Sequence, residues 1–280
     1  MKIVKTVGHM QQLSKGIRHH NKSIGFVPTM GYLHDGHLSL IHRARKDCDV
    51  VVVSIFVNPT QFAPGEDLKK YPRDFDMDRK LAKRAGADII FYPDAKHIYT
   101  KGFSAFIDVE NLDKVWEGKT RPAHFRGVCT VVGKLFNIVN PDIAYFGQKD
   151  AQQAAIIKRM VKDLNFNVSI VVAPTVREKD GLAMSSRNKY LSSEERKAAL
   201  VLYRSLQEAD GMIKNGEKKS DNVLERMRDV IKKEKLAHLD YVGIVNQEDF
   251  SPVSEILKTS LIIIACRIGK TRLIDNFLLM

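Results

Sequence analysis

Phe26-Val27-Pro28-Thr29-Met30-Gly31-Tyr32-Leu33-His34-Asp35-Gly36-His37 runs from an apolar, strand-like segment into a Pro and a Gly. Two histidines follow, three residues apart, where the next apolar-periodic segment begins. This spacing predicts a strand, a turn, and a helix that starts near His37. The two imidazoles then lie at a helix N-terminus above a strand end, where unpaired N–H groups and the helix dipole favour an anion. Residues i and i+3 share a helix face, so both rings can reach one phosphate chain. Gly31 and Gly36 leave bare backbone for a ligand to approach. Two other readings stay open here: a metal site, for which no third ligand is evident nearby, and ordinary surface histidines.

The flanking sequence repeats the strand-then-helix pattern. Residues 24–27, 50–57, 89–92, 143–146 and 168–172 read as strands, and 50–57 is a nearly continuous β-branched run, typical of a strand buried on both faces. Residues 37–48 read as a helix with Leu38, Ile41 and Ala44 inward. A second helix has Asp74 as its N-cap and Gly86 as its stop. Val128, Val131, Val132, Leu135, Phe136 and Val139 form a third helical stripe, and Ile156, Ile157, Met160, Val161 and Leu164 a fourth. The expected fold class is α/β, a Rossmann-like parallel sheet with helices on both faces. Ligands in such sheets sit beyond the carboxyl ends of the strands.

The pattern changes after Asn188. Ser192-Ser193-Glu194-Glu195 reads as a capping box opening a helix toward residue 213. A Lys-rich turn, a second helix and strand-like runs at 239–245, 261–266 and 272–278 follow. The expected division is a nucleotide- and substrate-binding domain over 1–184 and a smaller C-terminal α+β domain over 185–280, acting as a lid.

A chain of 280 residues suits one large or two modest domains. The 44% hydrophobic and 28% charged residues suit a soluble globular protein. Cys48, Cys129 and Cys266 are widely separated, which argues against a disulfide framework and for a reducing, cytoplasmic setting. Lys, His and Gln interrupt residues 1–13, so no signal peptide is expected. The longest apolar runs, 50–57 and 261–266, are far short of the roughly 18 residues of a membrane helix. The net charge of +12 is compatible with nucleic acid or anionic small molecules. Much of it lies in a mixed-charge helical segment at 214–235, and neither zinc-finger spacing nor an RNA-binding aromatic motif accompanies it.

Three further segments fall at expected strand ends. Phe56-Val57-Asn58-Pro59-Thr60-Gln61-Phe62 offers the amides of Asn58 and Gln61 to a hydroxy acid, between aromatic walls. Phe146-Gly147-Gln148-Lys149-Asp150 offers Lys149 as a point charge for phosphate and Asp150 for a helix cap or a ribose hydroxyl, with Gln153 one turn on. Met184-Ser185-Ser186-Arg187-Asn188 follows Asp180-Gly181 and offers two hydroxyls and a guanidinium to phosphate oxygens. Each taken alone also reads as structure: a polar turn, a cap beside a surface Lys, a serine-rich linker.

Together the residues resemble a known family. His34-Asp35-Gly36-His37 resembles the HIGH signature of class I aminoacyl-tRNA synthetases and related nucleotidyltransferases, and Met184-Ser185-Ser186-Arg187 resembles a reduced KMSKS loop. More narrowly, the chain resembles the pantothenate synthetase (pantoate–β-alanine ligase) family nearly end to end. The resemblance rests on Pro28 to Gly31 with His34 and His37, the 56–62 segment, Tyr71-Pro72-Arg73, His124-Phe125-Arg126-Gly127-Val128, the 146–150 segment and residues 177–190. It implies that ATP and pantoate form pantoyl-adenylate and pyrophosphate with Mg²⁺, and that β-alanine then gives pantothenate and AMP. It further implies an ATP loop of Met30, Gly31, Tyr32, Leu33, His34, Asp35, Gly36 and His37, with His37 as proton donor. Other ATP contacts would be Gly147, Gln148, Lys149, Asp150, the backbone of Val176, and Met184, Ser185, Ser186 and Arg187. Gln61 would contact pantoate and β-alanine, and Gln153 pantoate. The resemblance also implies a homodimer, with neither nucleic acid nor membrane as partner.

The resemblance leads to the expectation of Glu in many relatives where this chain has Gln148, which removes a charge beside Lys149. On the residues themselves, His34, His37, Lys149 and Arg187 with Mg²⁺ would offset the repulsion between a carboxylate and an α-phosphate. Two alternatives are weighed: a nucleotidyltransferase of the same superfamily acting on a phosphorylated substrate, and an RNA-binding module. The neutral amides of Asn58, Gln61 and Gln153 disfavour the first, because a phosphorylated acceptor calls for more cations.

Overall fold

Val50–Ile55 becomes the strand its β-branched run predicts, with positions 51–55 buried. In the computed structural model, which describes residues 1–63 and 65–279, it is one of six parallel strands. These are β1 (Lys2–Val4), β2 (Ile24–Thr29), β3 (Val50–Ile55), β4 (Ile89–Phe91), β5 (Ile143–Gly147) and β6 (Ser169–Ala173), in the order β1-β4-β3-β2-β5-β6. From β2 the chain winds outward through β3 and β4, then returns to place β5 and β6 on the other side. The strand order therefore reverses between β2 and β5, and their carboxyl ends flank the crevice where open α/β sheets bind ligands.

Side chains alternate across a strand, so β2 feeds two cores. Val27 packs with Val51, Val53, Leu40, Ile41 and Ala44, which puts helices Asp35–Asp47 and Phe75–Ala85 on one face. Phe26 points the other way and meets Phe136 of helix His124–Val139, edge to face at 6.5 Å between ring centroids. Helices thus cover both faces, as expected. Asp74 caps Phe75–Ala85 by accepting the Met77 N–H, and Gly86 ends it at φ +101°. Strand β1 was not foreseen: it is three residues long, only Val4 is buried, and its sheet partner is β4.

The chain packs as two units, Met1–Gly147 with Gln152–Pro174, and Gln148–Ala151 with Thr175–Met280. Residues 175–184 and the short Gln148–Ala151 segment thus pack with the C-terminal residues. The second unit is α+β. Strands β7 (Ala237–Asn246), β8 (Ser260–Ile268) and β9 (Thr271–Leu278) form an antiparallel sheet in that order. Helices Leu200–Lys214 and Ser220–Lys232 lay Leu202, Leu206, Val223, Met227 and Ile231 against Ile244, Ile262, Ile264 and Cys266. The capping box is present: Ser192 N–H donates to Glu195, and Glu195 N–H donates to Ser192 Oγ.

Candidate active site

In the first unit, the loop after β2 takes a shape that its sequence alone does not suggest. Gly31 and Tyr32 are both left-handed, at φ +85° and +52°. Two anchors hold this turn. Thr29 Oγ1 donates to the Ser54 carbonyl (2.8 Å) and accepts the Gly31 N–H (3.1 Å). The buried carboxylate of Asp78, from helix Phe75–Ala85, accepts the N–H groups of Tyr32 (2.8 Å) and Leu33 (2.7 Å). Burial raises the Asp78 carboxyl above its ordinary range, against the pull of those two N–H bonds.

The turn delivers His34 to the N-cap of helix Asp35–Asp47, and His37 stands one turn later. Their rings lie 4.0 Å apart between centroids. The His34 N–H donates to His37 Nδ1 at 3.3 Å. In the neutral ring that bond places the proton on Nε2, so His37 carries an N–H donor at a helix N-terminus.

Gln61 is also placed by a network. It lies in a single 3₁₀ turn, Pro59–Gln61, packed against helix His124–Val139. Its Nε2 donates to the Met30 sulfur at 2.9 Å. Asn58 is buried, and its amide donates to Gln61 Oε1 (3.1 Å) and to the Gly127 carbonyl (3.0 Å). Asn58 Oδ1 accepts from Thr60 and Tyr99. Both Asn58 amide hydrogens are therefore used within the protein. The sequence reading sets Asn58 against substrate; its two amide hydrogens also hold Gln61 to the Gly127 carbonyl.

His124 fastens the Gln61 backbone. Arg121 can only donate, so its Nη1 gives a hydrogen bond to His124 Nε2 (3.0 Å). His124 Nδ1–H then donates to the Gln61 carbonyl (2.8 Å). Arg121 itself forks onto both oxygens of Glu66 at 2.9 and 2.8 Å. Burial, with Arg121 adjacent, holds the His124 imidazole down to about 4, so it is neutral at neutral pH. An unfolded chain accepts the proton near 6.5. Stability is thus complete above that value and is lost as the pH falls toward 4. About 2 kcal/mol should be gone by pH 5 from this group. Urea unfolding at pH 7.5 and 5 checks it, with His124→Asn expected to flatten the slope; equal slopes would contradict the assignment.

Gly127 permits the close approach of this helix to the turn. A Cβ there would lie 2.7 Å from Gln61 Cα and closer still to the Thr60 carbonyl. Gly127→Ala should therefore push Pro59–Gln61 aside and, on the expectation that Gln61 meets the acid substrate, lower kcat/KM for it by about 10²-fold, the usual result of a misplacement near 1 Å. The KM for nucleotide should stay unchanged, and titration of each substrate separately reads the difference.

Of two adjacent glutamines on helix Ala151–Asp163, Gln152 is structural: it bonds Leu112, Val115 and Glu117. Gln153 is half-buried in the first turn.

Gly147 ends β5 in the first unit, and the second unit carries the remaining expected residues. Lys149 lies in the 3₁₀ turn Gln148–Asp150, its ammonium 3.7 Å from the Asp150 carboxylate. The Val176 carbonyl accepts the Met184 N–H (3.0 Å), and Arg177 bridges Ala183, so the 176–184 segment folds back as a hairpin. Ser185 Oγ accepts the Arg187 N–H (3.2 Å) and opens the turn Ser186–Tyr190. Asn188 ties it back to Glu178 (2.9 Å) and the Ala183 carbonyl (3.1 Å). The sequence reading missed Asp78, Arg121 and the fastening role of His124. Each acts on a segment distant in the chain, and only His124 stood in a motif already noted.

A sequence model described as pantoate-beta-alanine ligase matches residues 2–278. A pantothenate synthetase of Thermotoga neapolitana is 52% identical over 279 residues, covering 100% of both chains. One from Heliobacterium modesticaldum is 54% identical over 276 residues, covering 99% of this chain and 98% of its own. Among solved structures, pantothenate synthetase from Thermus thermophilus superimposes with a TM-score of 0.95 at 45% identity, covering 100% of this chain and 99% of that one. The pantoate-beta-alanine ligase of Francisella tularensis, solved with beta-gamma ATP and beta-alanine, gives 0.81 at 36% identity over 99% and 97% of the two chains.

Proposed function

The chain belongs to the pantoate–beta-alanine ligase family, and from that premise we infer how its residues divide the work. The enzyme joins pantoate to β-alanine at the expense of ATP to give pantothenate. The proposed course has two displacements. A pantoate carboxylate oxygen attacks the α-phosphorus of ATP, the bond to the β-phosphate oxygen breaks, and pyrophosphate leaves. The β-alanine amine then attacks the acyl carbon of pantoyl-adenylate, the anhydride bond breaks, AMP leaves, and the nitrogen loses its proton.

The observation that carries the residue assignment is the His34 N–H bond to His37 Nδ1. It fixes His37 as an Nε2–H donor, suited to phosphate oxygens whose charge grows in the transition state. Met30 to His37 in the first unit are the proposed ATP loop. In the second unit the proposed ATP contacts are Gln148, Lys149, Asp150, the Val176 backbone, and Met184, Ser185, Ser186 and Arg187, with Gly147 at the end of β5. Gln61 is proposed to hold pantoate and β-alanine, and Gln153 pantoate. His34, Lys149 and Arg187 are proposed to supply further donors and positive charge to the phosphates.

Mg²⁺ belongs to the proposal as well. Among the described residues no three His, Cys, Asp or Glu side chains come together as a metal cage. A magnesium ion arriving on the ATP phosphates needs none, since phosphate and water oxygens complete its shell. It would offset phosphate charge during the first displacement.

ATP–pyrophosphate exchange with pantoate present and β-alanine absent tests the scheme. Exchange independent of pantoate would overturn it and would favour a nucleotidyltransferase with another acceptor. We also propose a cytoplasmic homodimer. Three buried, unbridged cysteines are in keeping with a reducing compartment, and light scattering of the purified protein tests the dimer.

A further inference from the structure

Two adjacent polar residues, Asp275 and Asn276, are buried side by side in β9, at 3% and 4% exposure. Neighbours in a strand point to opposite faces. Asp275 shares its face with Ile264, and Asn276 shares its face with Ile263. Burying both has a cost unless every polar atom finds a partner, and their partners are segments that carry expected ATP contacts.

The Asn276 amide is fully used. One Nδ2 hydrogen goes to the Gln148 carbonyl (2.9 Å) and the other to the Lys149 carbonyl (2.8 Å). Its Oδ1 accepts from Gln148 Nε2 (3.1 Å). The reversed amide would set oxygen against two carbonyls, so the network fixes the orientation. Those carbonyls belong to the peptide planes on either side of the Lys149 Cα. Holding both planes holds the backbone angles of Lys149, and with them the direction of its side chain.

Asp275 continues the chain of bonds. Its Oδ1 accepts the Asn276 N–H (2.8 Å), and its carboxylate takes the Arg177 guanidinium in a fork at 2.6 and 3.0 Å. Arg177 also donates to the Gly181 carbonyl (3.0 Å) and the Asn276 carbonyl (3.4 Å), and lies over the Tyr203 ring at 4.6 Å. The same hub therefore holds the hairpin that begins at Val176 and leads to Met184 and Arg187.

We propose that Asn276 is a positioning residue for the adenylation step: it sets Lys149 through the two flanking carbonyls and, through Asp275 and Arg177, ties that turn to the Val176–Arg187 loop. This rests on the reading of Lys149 as an ATP contact. Gln148 belongs to the same clamp, since its side chain closes the ring of bonds with Asn276.

A double-mutant cycle of Asn276→Ala and Lys149→Ala, read by ATP–pyrophosphate exchange, tests the proposal. Asn276→Ala should slow exchange about 10- to 100-fold, the scale of a misplaced group, and should add little once Lys149 is absent. Amide formation from supplied pantoyl-adenylate and β-alanine should stay within about twofold of the parent, whereas general structural damage slows both half-reactions. Unchanged exchange in Asn276→Ala, or losses that multiply in the double variant, overturn the positioning role and leave the ATP reading standing. Unchanged exchange in Lys149→Ala overturns the ATP reading itself, and the proposal with it. Should Asn276→Ala fail to fold, Gln148→Ala removes one bond of the clamp from a half-buried side chain; a threefold to tenfold loss that vanishes in the Lys149→Ala background is then expected, and its absence overturns the clamp.

Discussion

His37→Ala should slow pantoate-dependent ATP–pyrophosphate exchange by roughly 10²–10³-fold, the scale of losing one donor to transition-state charge. The size follows from the position of the ring. His37 lies in the first turn of helix Asp35–Asp47, where the dipole already favours an anion. Its Nδ1 accepts the His34 N–H, so in the neutral ring the proton is on Nε2. The variant loses that donor and also the acceptor that orders the N-cap backbone. His37→Gln keeps an amide donor at similar reach without the imidazole's ability to give up its proton. A His37→Gln variant that recovers most of the rate would identify His37 as a fixed donor. A variant as slow as alanine would identify proton transfer. Near-normal exchange in His37→Ala would remove His37 from the chemistry altogether.

The path from sequence to site was legible wherever local pattern decides structure. The β-branched run 50–57 is typical of a buried strand, and Asp74, Gly86 and Ser192 mark helix ends by their own side-chain chemistry or its absence. The placing of His34 and His37 followed from one strand, one turn and one helix start. What escaped were bonds between segments far apart in the chain. Asp78 looks like one more acid in the first turn of a helix, yet it binds a loop more than forty residues earlier. Asn58 reads as a substrate ligand in the sequence, and its bonds to Gln61 and Gly127 add a holding role that no local pattern shows. Asn276 sits in a run read only as strand-like, and the fold shows it buried against the turn of Lys149. Local patterning thus located the groups proposed to meet substrate, while the groups that hold them still became visible only once the fold closed.

The largest combined effect on stability and rate should come from Asp78→Ala. The carboxylate meets two adjacent N–H groups, one on each oxygen, and these lie in a turn with Gly31 and Tyr32 both left-handed. Tyr32 does not adopt that backbone without help. With alanine at 78, both N–H groups lose their acceptors, at about 1–3 kcal/mol for the buried Leu33 N–H and less for the half-buried Tyr32 N–H. The turn must then relax, and the N-cap at His34 moves with it. A fall in melting temperature together with a loss of roughly 10²-fold in pantoate-dependent exchange is expected. Asp78→Asn separates charge from geometry. It removes the charge that burial disfavours at Asp78, but it offers one oxygen where two are needed and turns an NH₂ group toward an N–H donor. If geometry governs, Asp78→Asn is nearly as slow as Asp78→Ala. If exchange in Asp78→Asn matches the parent, one acceptor suffices for the loop. Gly31→Ala provides the converse test, because its Cβ would come within 2.9 Å of the same carboxylate and of Ile55 while forcing φ +85° on alanine. Damage to exchange in both Gly31→Ala and Asp78→Ala, with amide formation from supplied pantoyl-adenylate less affected, would place this turn at the adenylation step rather than in general folding.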